Sequence, residues 1–363
     1  MRRSPGRIAF LLACSVVLAA AASATAAPLP LHEKTTPLSV PPGVTAVVVD
    51  VDAGDVVVRA GSGASQVHER WTVEEPQVTT TVQGSTLRVA GACHQPLRLR
   101  DLNAGLAGLD CGVDVTLAVP AGVTLDMHGD GITVSGVRGT QALSGKDAVA
   151  VDHAGPGAVQ AESSRDVVQL TASRPGSAEL TGHDGVVVSQ VSGGALKAVS
   201  SSSVSLTSVS VRGPLTVQGV DAVSLDRVTA AGAGVTSSSD AVSVTRSRLG
   251  RLSASSSSGT SLDGVTASAA DLHASPGRVR VLRSRIDDLA AAGDDSVAVT
   301  LQTVPHHVRL DSTGSWVAVV VPRARYALTT STVTGHVTVQ DVVVDRHAPR
   351  SIFLTANGDI SLT

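Results

Sequence analysis

Aspartate recurs in this chain at a spacing that could carry chemistry. Asp130, Asp147, Asp166, Asp184, Asp221, Asp240, Asp295 and Asp359 follow one another at intervals of 17, 19, 18, 37, 19, 55 and 64 residues. The longer intervals hold whole periods, with Ser203, Gly259, Gly277, Gly314 and Gly335 near the corresponding places. Carboxylates stacked on successive turns of a repeat could bind calcium. Calcium-binding solenoids, however, carry Gly-Gly-x-Gly-x-Asp at nine-residue spacing, and this chain has one Asp per 18 or so. Asp also suits a tight turn because it bonds its own backbone. A turn role is therefore expected, and no metal or cofactor is assigned.

The other candidates are dispersed. His128, His153 and His183 sit at different offsets in their units, and His306-His307 point to opposite faces if they lie on a strand. No zinc spacing, H-E-x-x-H or G-x-S-x-G is present. A polysaccharide lyase or glycosidase would need paired carboxylates, or Asp with an Arg base. Asp287-Asp288 and Asp294-Asp295, with Arg283 and Arg285 nearby, come nearest. Adjacent carboxylates on a strand diverge, and aromatic sugar platforms are scarce, so no catalytic residue is assigned and a non-enzyme is expected.

The elements that position these residues are read from the period. From Val115 each unit holds two short β-rich runs, as in Ala158–Gly176 and Pro214–Gly232, with apolar residues alternating with Ser, Thr or Arg. A constant 18–19 residues suits stacked coils, because each coil buries its apolar face only against its neighbours. Hydrophobic residues make up 42% of the chain but aromatics only 1%, which fits a thin, layered interior of Val, Leu and Ala. The expected fold is all-β: a single-stranded parallel β-helix or β-solenoid of about 18–19 residues per coil. About 12–13 coils at about 4.8 Å would give a rod of about 60 Å. The Ser-rich stretches 200–203, 237–239 and 253–258 fall in this register and are expected to be ordered. Trp316 and Tyr326, near the end of the array, are expected to close its core.

Arg2, Arg3 and Arg7, the apolar run Ile8–Ala22 and Ala24-Thr25-Ala26 form a secretory signal peptide over residues 1–26. The Leu11-Leu12-Ala13-Cys14 stretch resembles a lipoprotein box, but the apolar run continues past it. Cleavage removes three arginines and no acid, leaving 25 bases against 31 acids, a net charge of −6. No basic run remains, so nucleic acid is not expected as a partner. No second apolar run is long enough to span a membrane as a helix. Cys93 and Cys111 then remain as an even pair in an oxidising compartment, which predicts a disulfide. Residues 27–42 read as a linker, 43–116 as a β-rich N-terminal cap holding the disulfide, and 117–363 as the repeat array.

Several phrases carry a family resemblance: Cys93…Cys111-Gly-Val-Asp-Val with Val119-Pro120-Ala121-Gly122-Val123, GDGITVSGVRG at Gly129–Gly139, VVVPRARYALTTSTVTGHVTV at Val319–Val339, and SIFLTANGDISLT at Ser351–Thr363. The chain resembles the bacterial "putative adhesin" family of β-solenoid domains, of the exported actinobacterial type. Residues 195–290 depart from the pattern, with Ser-Ser and Val-Asp replacing Gly-Asp. The resemblance implies a non-catalytic protein outside the cell or at its envelope, with a surface glycan or protein as partner. It supplies no catalytic residues. A structural or envelope-stress-associated assembly protein and a β-helix polysaccharide lyase or glycosidase are the alternatives.

Overall fold

The computed structural model describes residues 30–93 and 111–363. The expected signal peptide lies outside the described residues. The chain is all-β, a parallel solenoid of about 13 turns at about 19 residues per coil. Each coil gives one strand to a leading sheet and, after a tight turn, one to a trailing sheet. Ala158–Ser163 and Val167–Thr171 form one such pair, and Ser177–Gly182 and Gly185–Ser189 form the next. Neighbours align in parallel without offset: Val159 opposite Ala178, and Val168 opposite Val186. Alternate residues point inward, so Val159, Ala161, Val168 and Leu170 are buried between the sheets. The expected period-2 alternation and 18–19-residue coil are both present. The Ser-rich stretches are ordered, in strands and in the turns between them.

A second turn returns the chain from the trailing to the leading sheet. Its first residue is left-handed on coil after coil: His153, Ala172, Gln190, Ser208, Arg227, Arg246 and Arg283 have φ between 47° and 57°. Side chains cost about 1–2 kcal/mol in that region, and stacking of equivalent corners maintains the conformation. The following residue turns inward. Where it is serine, its hydroxyl satisfies a corner amide: Ser173, Ser247 and Ser284 accept from the N–H of Ala154, Val228 and Val265 at 2.9, 3.0 and 3.2 Å. Each also donates to a carbonyl of its own coil, so these buried hydroxyls are paired. In the middle coils a third, short row of strand pairs follows the corner, running through Ser210, Thr229, Arg248, Thr266 and Arg285.

The ends are not layered in chain order. At the N-terminus lie β1 (His32–Leu38), β2 (Ala46–Val51), β3 (Val56–Ala60), β4 (Ser65–Trp71), β5 (Gln77–Gln83), β6 (Thr86–Ala92), β7 (Cys111–Val119), β8 (Thr124–Gly129) and β9 (Ile132–Ser135). The coil β2–β3 lies between the coil β6–β7 and the coil β8–β9, paired in parallel with both. Antiparallel strands cover the outer edge: β5 on β6, β4 on β7, and β1 on β4. Residues 46–60, expected in the cap, thus form a regular coil. Residues 32–38, expected in the linker, form a strand. Pairing with β4 makes it one, and its largely exposed residues leave no hydrophobic alternation to read.

Cys93 follows β6 and Cys111 opens β7, and the two are joined in a disulfide with a Cα–Cα distance of 5.9 Å. The bond spans the place where other coils make a turn of a few residues. Closing a loop of this size should stabilise the fold by about 3 kcal/mol. Urea unfolding of Cys93→Ser/Cys111→Ser is therefore expected to show a midpoint well below that of the oxidised protein. Equal midpoints would mean that packing alone holds this coil.

The C-terminal end repeats the exchange. Ser351–Ala356 and Ile360–Leu362 lie between His307–Ser312 with Val317–Val320 on one side and Arg325–Thr332 with Val337–Val339 on the other. Tyr326 is 1% exposed and donates its hydroxyl to the Pro322 carbonyl at 2.9 Å. Burial pushes its phenol pKa upward. Trp316, expected to share in closing the core, is instead 42% exposed, at an outward turn position. Val333, Val337, Val339, Val343 and Val344 are exposed at this end of the rod.

Candidate functional site

The recurring aspartates fall in the turn from leading to trailing strand. Their backbones stack: the Asp147 N–H donates to the Asp130 carbonyl at 2.8 Å, and the Asp295 N–H to the Gly277 carbonyl at 2.9 Å. Their carboxylates take separate local partners. Asp130 accepts from the Gly54 N–H at 2.9 Å and pairs with Lys146 at 2.9 Å. Asp166 accepts from the Val167 N–H, Asp221 from the Ser202 hydroxyl, Asp240 from the Ser258 hydroxyl and Asp359 from the His336 N–H. Among the described residues, no three His, Cys, Asp or Glu side chains converge as a metal-binding group.

The residues closest to an enzyme pattern are separated by the fold. Asp294 accepts from the Ser275 and Thr313 hydroxyls, and Asp295 lies 3.8 Å from Arg278. Arg283 leaves the left-handed corner and forms a two-point pair with Asp263, one coil back. That guanidinium, through its hydrogen bonds, holds the Asp263 carboxyl below the usual range, and Asp263 in turn raises Arg283. Two corners earlier, Asp226 is lowered first by the Thr245 hydroxyl and then by Arg246, 2.6 Å away. Asp287 and Asp288 are consecutive and exposed on the strand Arg278–Gly293. Only Asp288 enters the feature described next.

A groove of about 630 Å³ lies on the outer face of the leading sheet, over five neighbouring strands. Two rows of outward residues form it. One runs Arg251, Ala269, Asp288, His307, Ser351; the other runs Ser253, Asp271, Ala290, Arg309, Phe353. Ala269 and Ala290 leave a low floor between longer side chains. His307 Nδ1 and the Ser351 hydroxyl are 2.9 Å apart, and the Arg309 guanidinium lies 5.5 Å from the centre of the Phe353 ring. Phe353 is 38% exposed. Elsewhere on this face charges neutralise each other, as Lys197 does with Glu179 at 2.7 Å. In the groove Arg251, Asp271 and Asp288 make no ion pair among the described residues. Two carboxylates thus stand in the middle of a trough with a guanidinium toward either end. Such an arrangement can hold a polar ligand by hydrogen bonds and ion pairs, with Phe353 offering one apolar face.

Sequence reasoning singled out only Asp288 and His307 of these residues. The others are ordinary members of separate units. Laying the coils in register by their outward positions would have aligned them.

No family model matches this chain, and no curated protein does. Solved structures are similar to it at low identity, three of them as follows. A "putative cell adhesion protein" from Clostridium sporogenes is 8% identical, over 92% of this chain and 99% of the other, with a TM-score of 0.21. A "putative lipid binding protein" from Parabacteroides distasonis is 13% identical, over 74% and 96%, with a TM-score of 0.34. A "putative adhesin" from the same organism is 11% identical, over 92% and 97%, with a TM-score of 0.22. Likenesses this distant carry no weight for ligand or activity.

Proposed function

We propose that this protein is a non-catalytic, exported surface-binding solenoid of the adhesin type, acting outside the cell or at its envelope. In this reading residues 1–26 direct export and are removed. The antiparallel strands near the N-terminus cap one end of the rod, and the leading-sheet groove takes a segment of a surface glycan or protein. The observation that supports it best is a set of charges in the groove with no ion-pair partner among the described residues. Arg251, Asp271 and Asp288 stand together over an alanine floor. A general acid needs an environment that sets it apart from its neighbouring carboxylate. Asp271 and Asp288 are both exposed, which favours binding over catalysis.

A glycan array and envelope pull-down with the mature chain, set beside Arg251→Ala/Asp288→Ala, test the assignment. Binding by the wild type that falls about tenfold or more in the variant, equivalent to about 1.4 kcal/mol, is the expected outcome. Unchanged binding by the variant would remove the groove from the function.

A further inference from the structure

The corner where each coil returns to the leading sheet carries a feature that no local stretch of sequence displays. Successive left-handed positions hold Arg227, Arg246, Gly264 and Arg283. Two residues further on, Arg248, Thr266 and Arg285 stand in register. Two arginine pairs, Arg246 with Arg248 and Arg283 with Arg285, are therefore separated by two coil steps, about 9.6 Å. The coil between them has no cation at either place. A cleft of about 700 Å³ opens at that coil, lined by Thr245, Arg246, Asp263, Gly264, Arg283, Arg285 and Gln302. A Cβ added at Gly264 would have nothing within 4 Å, so the gap continues over the backbone.

We propose that this cleft binds an extended anionic polysaccharide, one acidic at alternate residues. Arg246, Arg283 and Arg285 line the cleft and Arg227 and Arg248 stand on the corners beside it, five guanidiniums against two carboxylates, those of Asp226 and Asp263, which pair with Arg227, Arg246 and Arg283. The corner is thus net positive on a chain whose overall charge is −3. Arg246 and Arg283 are oriented by their aspartates. Arg248 and Arg285 form no ion pair among the described residues and are exposed, leaving their planar forks free for carboxylate or sulfate groups. Coil stacking sets their separation in advance, so a rigid polymer with charges at a comparable repeat meets both pairs without reordering the protein. Among the described residues no aromatic side chain lines the cleft. Single-stranded nucleic acid, which depends on such stacking platforms, is the less suitable polyanion.

The test measures binding of hyaluronate oligosaccharides, in which uronate alternates with a neutral sugar, to the full mature chain at low and physiological salt. Dextran serves as the neutral control and a single-stranded oligodeoxynucleotide of matched charge as the other polyanion. Salt-weakened binding of hyaluronate, no binding of dextran, and at least about a tenfold loss in Arg248→Gln/Arg285→Gln are expected. A control variant outside both sites, Lys197→Gln on the leading face, is expected to bind hyaluronate as the wild type does, which ties the loss to the corner. No hyaluronate binding at low salt, equal binding by the corner variant, or tighter binding of the oligodeoxynucleotide would each overturn the assignment.

Discussion

A chain ending at Arg350 is expected to lose its C-terminal coils as a unit while the rest of the rod stays folded. The missing strands, Ser351–Ala356 and Ile360–Leu362, are not the outermost layer. They lie between the coil 307–320 and the segment 325–339 and hydrogen-bond to both. Their removal deletes four large, fully buried side chains, Ile352, Leu354, Ile360 and Leu362, besides the buried Ala356. At about 1.5–3 kcal/mol each, the loss is roughly 6–12 kcal/mol, and the segment 325–339 is left with only the short pairing of Arg325 and Tyr326 with Val343 and Val344. Each coil depends only on its neighbours, so the damage stays local. Limited proteolysis with mass spectrometry should find new cleavage between about residues 320 and 350 and a resistant core before it. A truncated chain that still protects Arg325–Thr332 would show that the exchanged layer order is not what holds this end.

The second large effect is expected from one methine at the corner. Gly139, Gly157, Gly176 and Gly194 stack at 18–19-residue intervals where the chain enters the leading sheet. A Cβ at Gly157 would overlap the Gly139 carbonyl oxygen, and one at Gly194 the Gly176 carbonyl oxygen. The obstacle is backbone on the adjacent coil, which cannot move without breaking the ladder. Gly194→Val should cost about 4 kcal/mol, in the range of severe overpacking and strain. Gly234 supplies the control, because a Cβ there has nothing within 4 Å. Gly234→Ala should change stability by no more than about 1 kcal/mol, in either direction. Urea titration of the two variants beside wild type checks the contrast. Equal midpoints would show that the corner relaxes and that the close stacking is not limiting.

Much of the architecture is legible in residue order, because its causes are local. Val223-Ser224-Leu225 and Val242-Ser243-Val244 alternate because one side of a strand is buried, and they lie opposite each other as the 19-residue offset requires. Asp130, Asp166 and Asp359 read as turn residues and lie in turns, where Asp166 bonds the amide of its own turn while Asp130 and Asp359 accept from amides of other coils. The layer order at the ends is not legible. β2–β3 and Ser351–Leu362 have the same Val- and Leu-rich alternation as any interior coil, and nothing in their residues says which coil each will pair with. Trp316 misleads for a related reason: its size suggests the core, but its place in the turn points it outward.

By itself the sequence determined the strand content, the coil length, the thin aliphatic core and the cysteine pair. Those follow from period-2 alternation, turn chemistry and composition, which act within one coil. Only the tertiary structure decided which side chains meet. Asp271 and Asp288 lie on adjacent strands of the groove, and Arg246 and Arg283 line one cleft, although each belongs to a different unit. Coils stack about 4.8 Å apart, so residues 18–19 apart in the chain become neighbours. Where the layer order is exchanged, residues as far apart as His307 and Ser351 do so too. A mature chain with no basic run, whose adjacent acids diverge, thereby acquires a basic corner and a mixed-charge groove.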